Sequence, residues 1–256
     1  MGQIISLYIK NCPFPNKWSR MAAMFHKVPP SLISAPIASV LHRRDLTIRI
    51  NPARVTHHCD GRWSVTSGQI DQCTGPRPLR ETMKGLTKLR EPFLMDDDTY
   101  PELKNIHEEP RAVLLTDFIQ KTERLRQTRW FAKLSAELAR TGIARHKKIV
   151  MTSEAEILDF LENYVLRLVQ TMEDQGYVEK RGVETGYARI TARGKLTKAG
   201  SGWHRFVTAR AVGVTSMPLM VWQVHRDWLQ SEIERTGMPP LKALRRGIAR
   251  VAAAHR

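Results

Sequence analysis

Apolar positions fall into a helical rhythm in the second half of the chain. Leu114, Leu115, Phe118, Leu125, Trp130, Phe131, Leu134 and Leu138 recur at intervals of three and four, which predicts one or two amphipathic helices between Val113 and Leu138. Gly142 supplies a C-terminal stop. A second stripe, Ile157, Leu161, Tyr164, Val165, Leu168 and Met172, predicts a helix entered at Ser153 and left at Gly176. The Ser153 hydroxyl can accept from free backbone N–H groups of the first turn, where Glu154 and Glu156 suit the helix dipole. Residues 177–180 and 187–191 then read as two short strands around the turn from Gly182 to Gly186, followed by a further helix. Residues 219–235 read as a helix with Val221, Val224, Trp228 and Leu229 inward, and Trp222 also assigned to the core. Gly237 ends it, and Pro239 and Pro240 open another. On that last helix Leu241, Leu244, Ile248 and Val251 share one face, and Lys242, Arg245, Arg246 and Arg250 favour the other.

The first half lacks such order. Pro13, Pro15, Pro29, Pro30, Pro36 and Pro52 interrupt it, and only residues 46–50 and 63–66 read as strands, able to pair as a hairpin. Between 91 and 110, Pro92, Pro101 and Pro110 are interleaved with Asp96, Asp97, Asp98, Glu102, Glu108 and Glu109. Prolines at that density forbid a continuous helix, so this stretch reads as an acidic linker. The expected organisation is a basic N-terminal region (1–90), the linker (91–110), and a helical domain (111–256). The expected fold class is mainly α with a small β-hairpin (α+β).

Charge adds a partner class. The 256 residues carry 41 basic and 25 acidic side chains, a formal +16. The excess concentrates at the ends: residues 1–82 hold 11 basic and 4 acidic side chains, and residues 183–256 hold 13 and 4. Such a balance favours polyanions, among them nucleic acid, an anionic membrane face or an acidic protein.

The order of elements from 153 to 203 then matters. A helix, the run Gly176-Tyr177-Val178-Glu179-Lys180-Arg181, and Ile190-Thr191-Ala192-Arg193-Gly194 resemble the latter half of a winged helix-turn-helix domain of the MarR type. The resemblance implies that the helix enters a major groove and that the hairpin at 177–191 is a wing. Asn163, Arg167 and Gln170 would then meet base edges, for which their amides and guanidinium are suited. Arg181, Arg189, Arg193 and Lys195 would flank the wing and meet phosphates or a narrow minor groove. The expected function is therefore binding of duplex DNA, as a transcriptional regulator without catalytic activity, with homodimerisation. The alternative is a non-catalytic adaptor whose basic surface meets an acidic protein or an anionic membrane.

Other motifs weigh less. His57, His58, Cys59 and Cys73 are zinc-ligand types, but they lack the two close pairs of a structural zinc site and read as loop residues. Met1, Gly2 and Ser6 match the short myristoylation pattern. Asp96 to Asp98 with His107 and Glu108 suggest a metal-dependent nuclease, for which a solvated acidic linker is the simpler reading. Arg145, His146, Lys147 and Lys148 read as an exposed basic loop. No P-loop, dinucleotide fingerprint, nucleophile elbow or H-E-x-x-H motif is present in the sequence, so no catalytic residue, metal ligand or cofactor is expected. Three cysteines and no run of roughly 20 apolar residues fit a cytoplasmic protein without a transmembrane segment.

Overall fold

The computed structural model describes residues 34–59, 78, 82, 91–97, 100, 102–147, 149–179 and 185–256. The N-terminal elements are α1 (Ala35–Leu41), α2 (Arg43–Leu46), β1 (Thr47–Ile50), β2 (His57–Cys59), β3 (Leu94–Met95) and β4 (Lys104–Asn105). Then come α3 (Pro110–Ile119), α4 (Arg129–Thr141), β5 (Ala144–His146), β6 (Ile149–Met151), α5 (Glu154–Phe160) and α6 (Arg167–Gln175). The chain continues through β7 (Gly186–Ile190), β8 (Leu196–Ala199), α7 (Trp203–Ala211), β9 (Met217–His225), α8 (Arg226–Thr236) and α9 (Pro240–Ala254).

Strand β9 organises the sheet. All but one of its nine residues are buried, Trp222 being half-buried. A strand covered on both faces loses the alternation that marks a half-exposed strand, and a short apolar run then cannot be told from a helix by period. That is why residues 219–235, expected as one helix, divide into a strand and, from Arg226, helix α8. One side of β9 pairs antiparallel with β1 and, further along, parallel with β3. The other side pairs parallel with β7, and the order continues β7-β8-β2-β4. The result is a seven-stranded mixed sheet.

This sheet corrects the expected fold class. The protein is α+β around a mixed sheet, and it is neither mainly α with one small hairpin nor a winged helix-turn-helix. The anticipated wing is absent as such. Residues 177–179 form no strand, and β7 pairs instead with β8 and β9 inside the sheet. The interval expected as a linker contributes β3 and β4, and it buries Phe93, Met95 and Ile106 to 1% exposure or less. The strand expected at 46–50 is β1, paired with β9; its expected partner at 63–66 lies outside the described residues.

Several helices follow the sequence pattern closely. Two helices, α3 and α4, fill the region from 113 to 138, and α4 ends on Gly142 in the left-handed conformation. Ser153 caps α5 by accepting the Glu156 N–H, and the Glu156 carboxylate accepts the Thr152 N–H in return. Helix α7 packs on α3 and β7, while α8 and α9 pair with each other and α9 lies along β1. Leu244, Ile248 and Val251 of α9 are buried as expected. Trp222 stacks on Tyr187 with centroids 4.4 Å apart, and Trp228 is 2% exposed. No helix among the described residues is long and apolar enough to cross a membrane.

One backbone approach fixes the start of α7. Gly202 has φ +81°, and a Cβ there would lie 2.7 Å from the Gly186 Cα. A Gly202→Ala variant therefore meets both a left-handed penalty and a backbone clash. It is expected to lower stability by about 2–4 kcal/mol in urea unfolding; an unchanged midpoint would contradict this packing.

Candidate functional site

A concavity of about 950 Å³ lies beside the start of α7. Its walls come from five parts of the chain. Helix α3 gives Arg111 and Leu114; α4 gives Trp130, Lys133 and Leu134. The β5–β6 hairpin gives Arg145, His146 and Lys147, and the long helix made by α5, the π-helical Leu161–Leu166 and α6 gives Asn163, Tyr164, Arg167, Leu168, Thr171 and Met172. The loop Gly200-Ser201-Gly202 and the first turn of α7, Trp203 to Arg205, close it. Six of the described lining residues are Arg or Lys, and none is Asp or Glu.

The loop before α7 is held by Lys198. This side chain is fully buried, and its ammonium donates to the carbonyls of Tyr187, Ala199 and Ser201 at 3.3, 2.5 and 2.6 Å. It also lies 5.1 Å from the Trp203 ring centroid. Beyond the loop, Gly202 at the N-cap provides no side-chain acceptor for α7. The first N–H groups of a helix have no intrahelical partner and carry the positive end of its dipole, so such an end attracts anions. Ser201 Oγ, Trp203 Nε1 and His146 Nε2 are buried and lack hydrogen-bond partners, and all three residues line the cleft.

An aromatic floor runs under the cations. Trp130 stacks on His204 at 5.6 Å and 28°, and His146 lies 5.0 Å from His204. Tyr164 stacks on Phe160 at 5.5 Å and 18°. Lys147, the only described residue other than glycine with positive φ (56°), turns at the hairpin tip and places Nζ 3.5 Å from His204 Nδ1. Burial, followed by the charges of Arg111 and Arg205, lowers its pKa. Both imidazoles are displaced further from the ordinary 6.5. His146 falls to about 4 through burial, then Lys147 and Lys133. His204 falls to about 3 through burial, then Lys147, His146 and Arg111. Both rings are therefore neutral at pH 7, in a cleft whose excess of cations repels their protons.

Two of the residues expected to bind nucleic acid reach this cleft. Asn163 and Arg167 line it, although the Asn163 amide donates to Asp159 at 2.6 Å within the helix. Gln170 is exposed on α6 outside the lining. Arg193 and Lys195 are exposed in the β7–β8 turn, away from the cleft, and Lys195 Nζ meets His57 Nδ1 at 2.8 Å. Arg181 lies outside the described residues. Arg189 needs correction: it is 3% exposed, bonded to Gln223 Oε1 at 2.6 Å and to the Cys59 carbonyl at 3.3 Å, so it serves the sheet interior. The helix that carries Asn163 and Arg167 is also unbroken. Leu161–Leu166 is π-helical, with the Arg167 N–H bonded to the Glu162 carbonyl, and the element before α5 is the β5–β6 hairpin instead of a scaffold helix.

The metal-ligand motifs do not assemble. His58 and Cys59 are successive strand residues and face opposite sides of the sheet, and Cys73 lies outside the described residues. Asp97, His225 and Asp227 do gather within ligand reach of one another. However, His225 accepts the Asp227 N–H at Nδ1 and meets Asp97 at Nε2, 3.1 Å away, which commits both ring nitrogens. Asp96 pairs with Arg226, and Asp98 lies outside the described residues. His107 and Glu108 follow β4, five strand spacings from β3 in the sheet order, or roughly 24 Å.

Compared with protein-family models, curated proteins and solved structures, the chain matches none.

The neutral imidazoles set a pH dependence. Each has a folded pKa below its unfolded value, so between about pH 6.5 and 4 the unfolded chain binds more protons and stability rises with pH. Thermal unfolding is expected to shift to lower temperature as pH falls through that window. His204→Phe, which keeps the stack on Trp130, should flatten the dependence; an unchanged pH slope in that variant would contradict the assignment.

Proposed function

We propose that the protein binds nucleic acid and holds the phosphate backbone in the cleft beside α7. The observation that carries this reading is the lining itself: Arg111, Lys133, Arg145, Lys147, Arg167 and Arg205 converge with no carboxylate among the described lining residues. Backbone phosphates supply the missing negative charge, and release of their counterions drives association. The start of α7 adds N–H donors to the same wall.

Some basic side chains are already paired, Arg111 of the cleft with Glu109 at 2.9 Å among them. On α9, Arg245 pairs with Asp45 at 2.8 Å and Arg250 pairs with Glu232. Acidic residues of the long helix are also engaged: Glu154 by Arg126 at 2.8 Å, and Glu156 by the Thr152 N–H. They therefore oppose phosphate less than their number suggests. Regulatory action on duplex DNA is one use of such a site; a base-reading role for Asn163 is weakened by its bond to Asp159.

A salt series tests the reading. With labelled DNA, offered both as a duplex and as a single strand, affinity is expected to fall on the order of a thousandfold between about 50 and 200 mM salt if six phosphates are neutralised. Arg167→Ala should weaken binding and reduce the slope of log affinity against log salt by about 1, whereas Arg193→Ala should leave that slope unchanged. No binding of either form at low salt, or an effect of Arg193 without one of Arg167, would sink the cleft as the nucleic-acid site.

A further inference from the structure

We infer that the nucleic acid held in this cleft is single-stranded, with an unstacked base on Tyr164 and a backbone phosphate at the start of α7. This deepens the nucleic-acid reading above and rests on it. Two observations beyond charge support it, one at each end of a nucleotide.

The base end is Tyr164. Its ring is 42% exposed although it belongs to the apolar stripe of its helix. It lies parallel to Phe160, which braces it from within the protein. A rigid, half-exposed ring beside Arg167 and Arg145 has the makings of a stacking platform, since every base offers a π face.

The phosphate end is the Gly200-Ser201-Gly202 loop. Helix α7 begins there without a side-chain cap. Ser201 and Trp203 line the cleft, and the Ser201 Oγ and the indole N–H of Trp203, a residue 4% exposed, are buried with no hydrogen-bond partner. A buried donor left unsatisfied is costly, and a phosphate oxygen would satisfy these two together with the helix N–H groups. One ring separates the two ends: His146 lies 6.1 Å from Tyr164 and 5.0 Å from His204, the second residue of α7. A duplex can offer this arrangement its phosphates but no base face for Tyr164. Its phosphates lie on a convex rod and its base faces are stacked inward, while the cleft is concave and offers a ring to a base face.

Fluorescence anisotropy on the full chain separates base from backbone. The probes are a single strand of about 12 nucleotides, the same strand made abasic, and its duplex, at about 50 mM salt. The single strand is expected to bind about tenfold more tightly than either of the others. Tyr164→Ala should remove the advantage of the base-bearing strand over the abasic one, and Tyr164→Phe should retain it. Equal affinity for duplex and single strand, or a base preference that survives Tyr164→Ala, would overturn the single-strand assignment while leaving salt-dependent nucleic-acid binding standing. Failure of all three probes to bind would overturn both.

Discussion

A buried ammonium holds the part of the molecule on which the cleft depends. Lys198 lies in β8, out of contact with water, and such a charge is tolerated only when its hydrogen-bonding capacity is met. Three carbonyls meet it, from Tyr187 in β7, from Ala199, and from Ser201 in the loop. The same contacts tie the loop to the sheet at the point where the chain turns into α7. Gly202 then lets its backbone approach that of Gly186 where a Cβ on Gly202 would collide. A fixed loop gives α7 a fixed start, and so a fixed set of outward N–H donors at the cleft wall.

The electrostatics follow from that frame. The β5–β6 hairpin brings Arg145, His146 and Lys147 over the start of α7, and α3 and the long helix add Arg111 and Arg167. Like charges brought together raise the free energy of the folded state, and the proton loss of His146 and His204 partly relieves it. A positive-φ lysine at the hairpin tip adds local strain of the kind that persists where surrounding structure enforces it. An anion in the cleft would relieve this repulsion, satisfy the buried donors and favour reprotonation of the imidazoles. Binding of an anion there would then be coupled to proton uptake through one cavity.

The sequence disclosed the helices better than the sheet, for physical reasons. Helices α4 and α5 each combine a clear apolar stripe with a capping residue, Thr128 or Ser153, so local and tertiary preferences agree. Strand β9 carries no alternation because both its faces are covered, and β3 and β4 have two residues each, too few to show any period. Within the site, Asn163 and Arg167 were legible as the polar side of a long helix. Tyr164 was assigned to the apolar side, since periodicity cannot tell a packed face from one that borders a cleft. Arg189 was misplaced because a charged residue in a short strand reads as exposed until its partners, Gln223 and Cys59, are known. His204 lies more than fifty residues from His146 and Lys147, and only the tertiary fold unites them. The available signals were the basic run at 145–148 and the Gly-Ser-Gly sequence ahead of Trp203.

Hydrogen–deuterium exchange with and without a single-stranded oligonucleotide tests most directly whether this cleft is the ligand site. Slower exchange is expected at the amides of residues 200–206 and 144–147 when the strand is bound, with little change along α9. Protection confined to α9 or to the β7–β8 turn, with the α7 start unaffected, would contradict the cleft as the binding site.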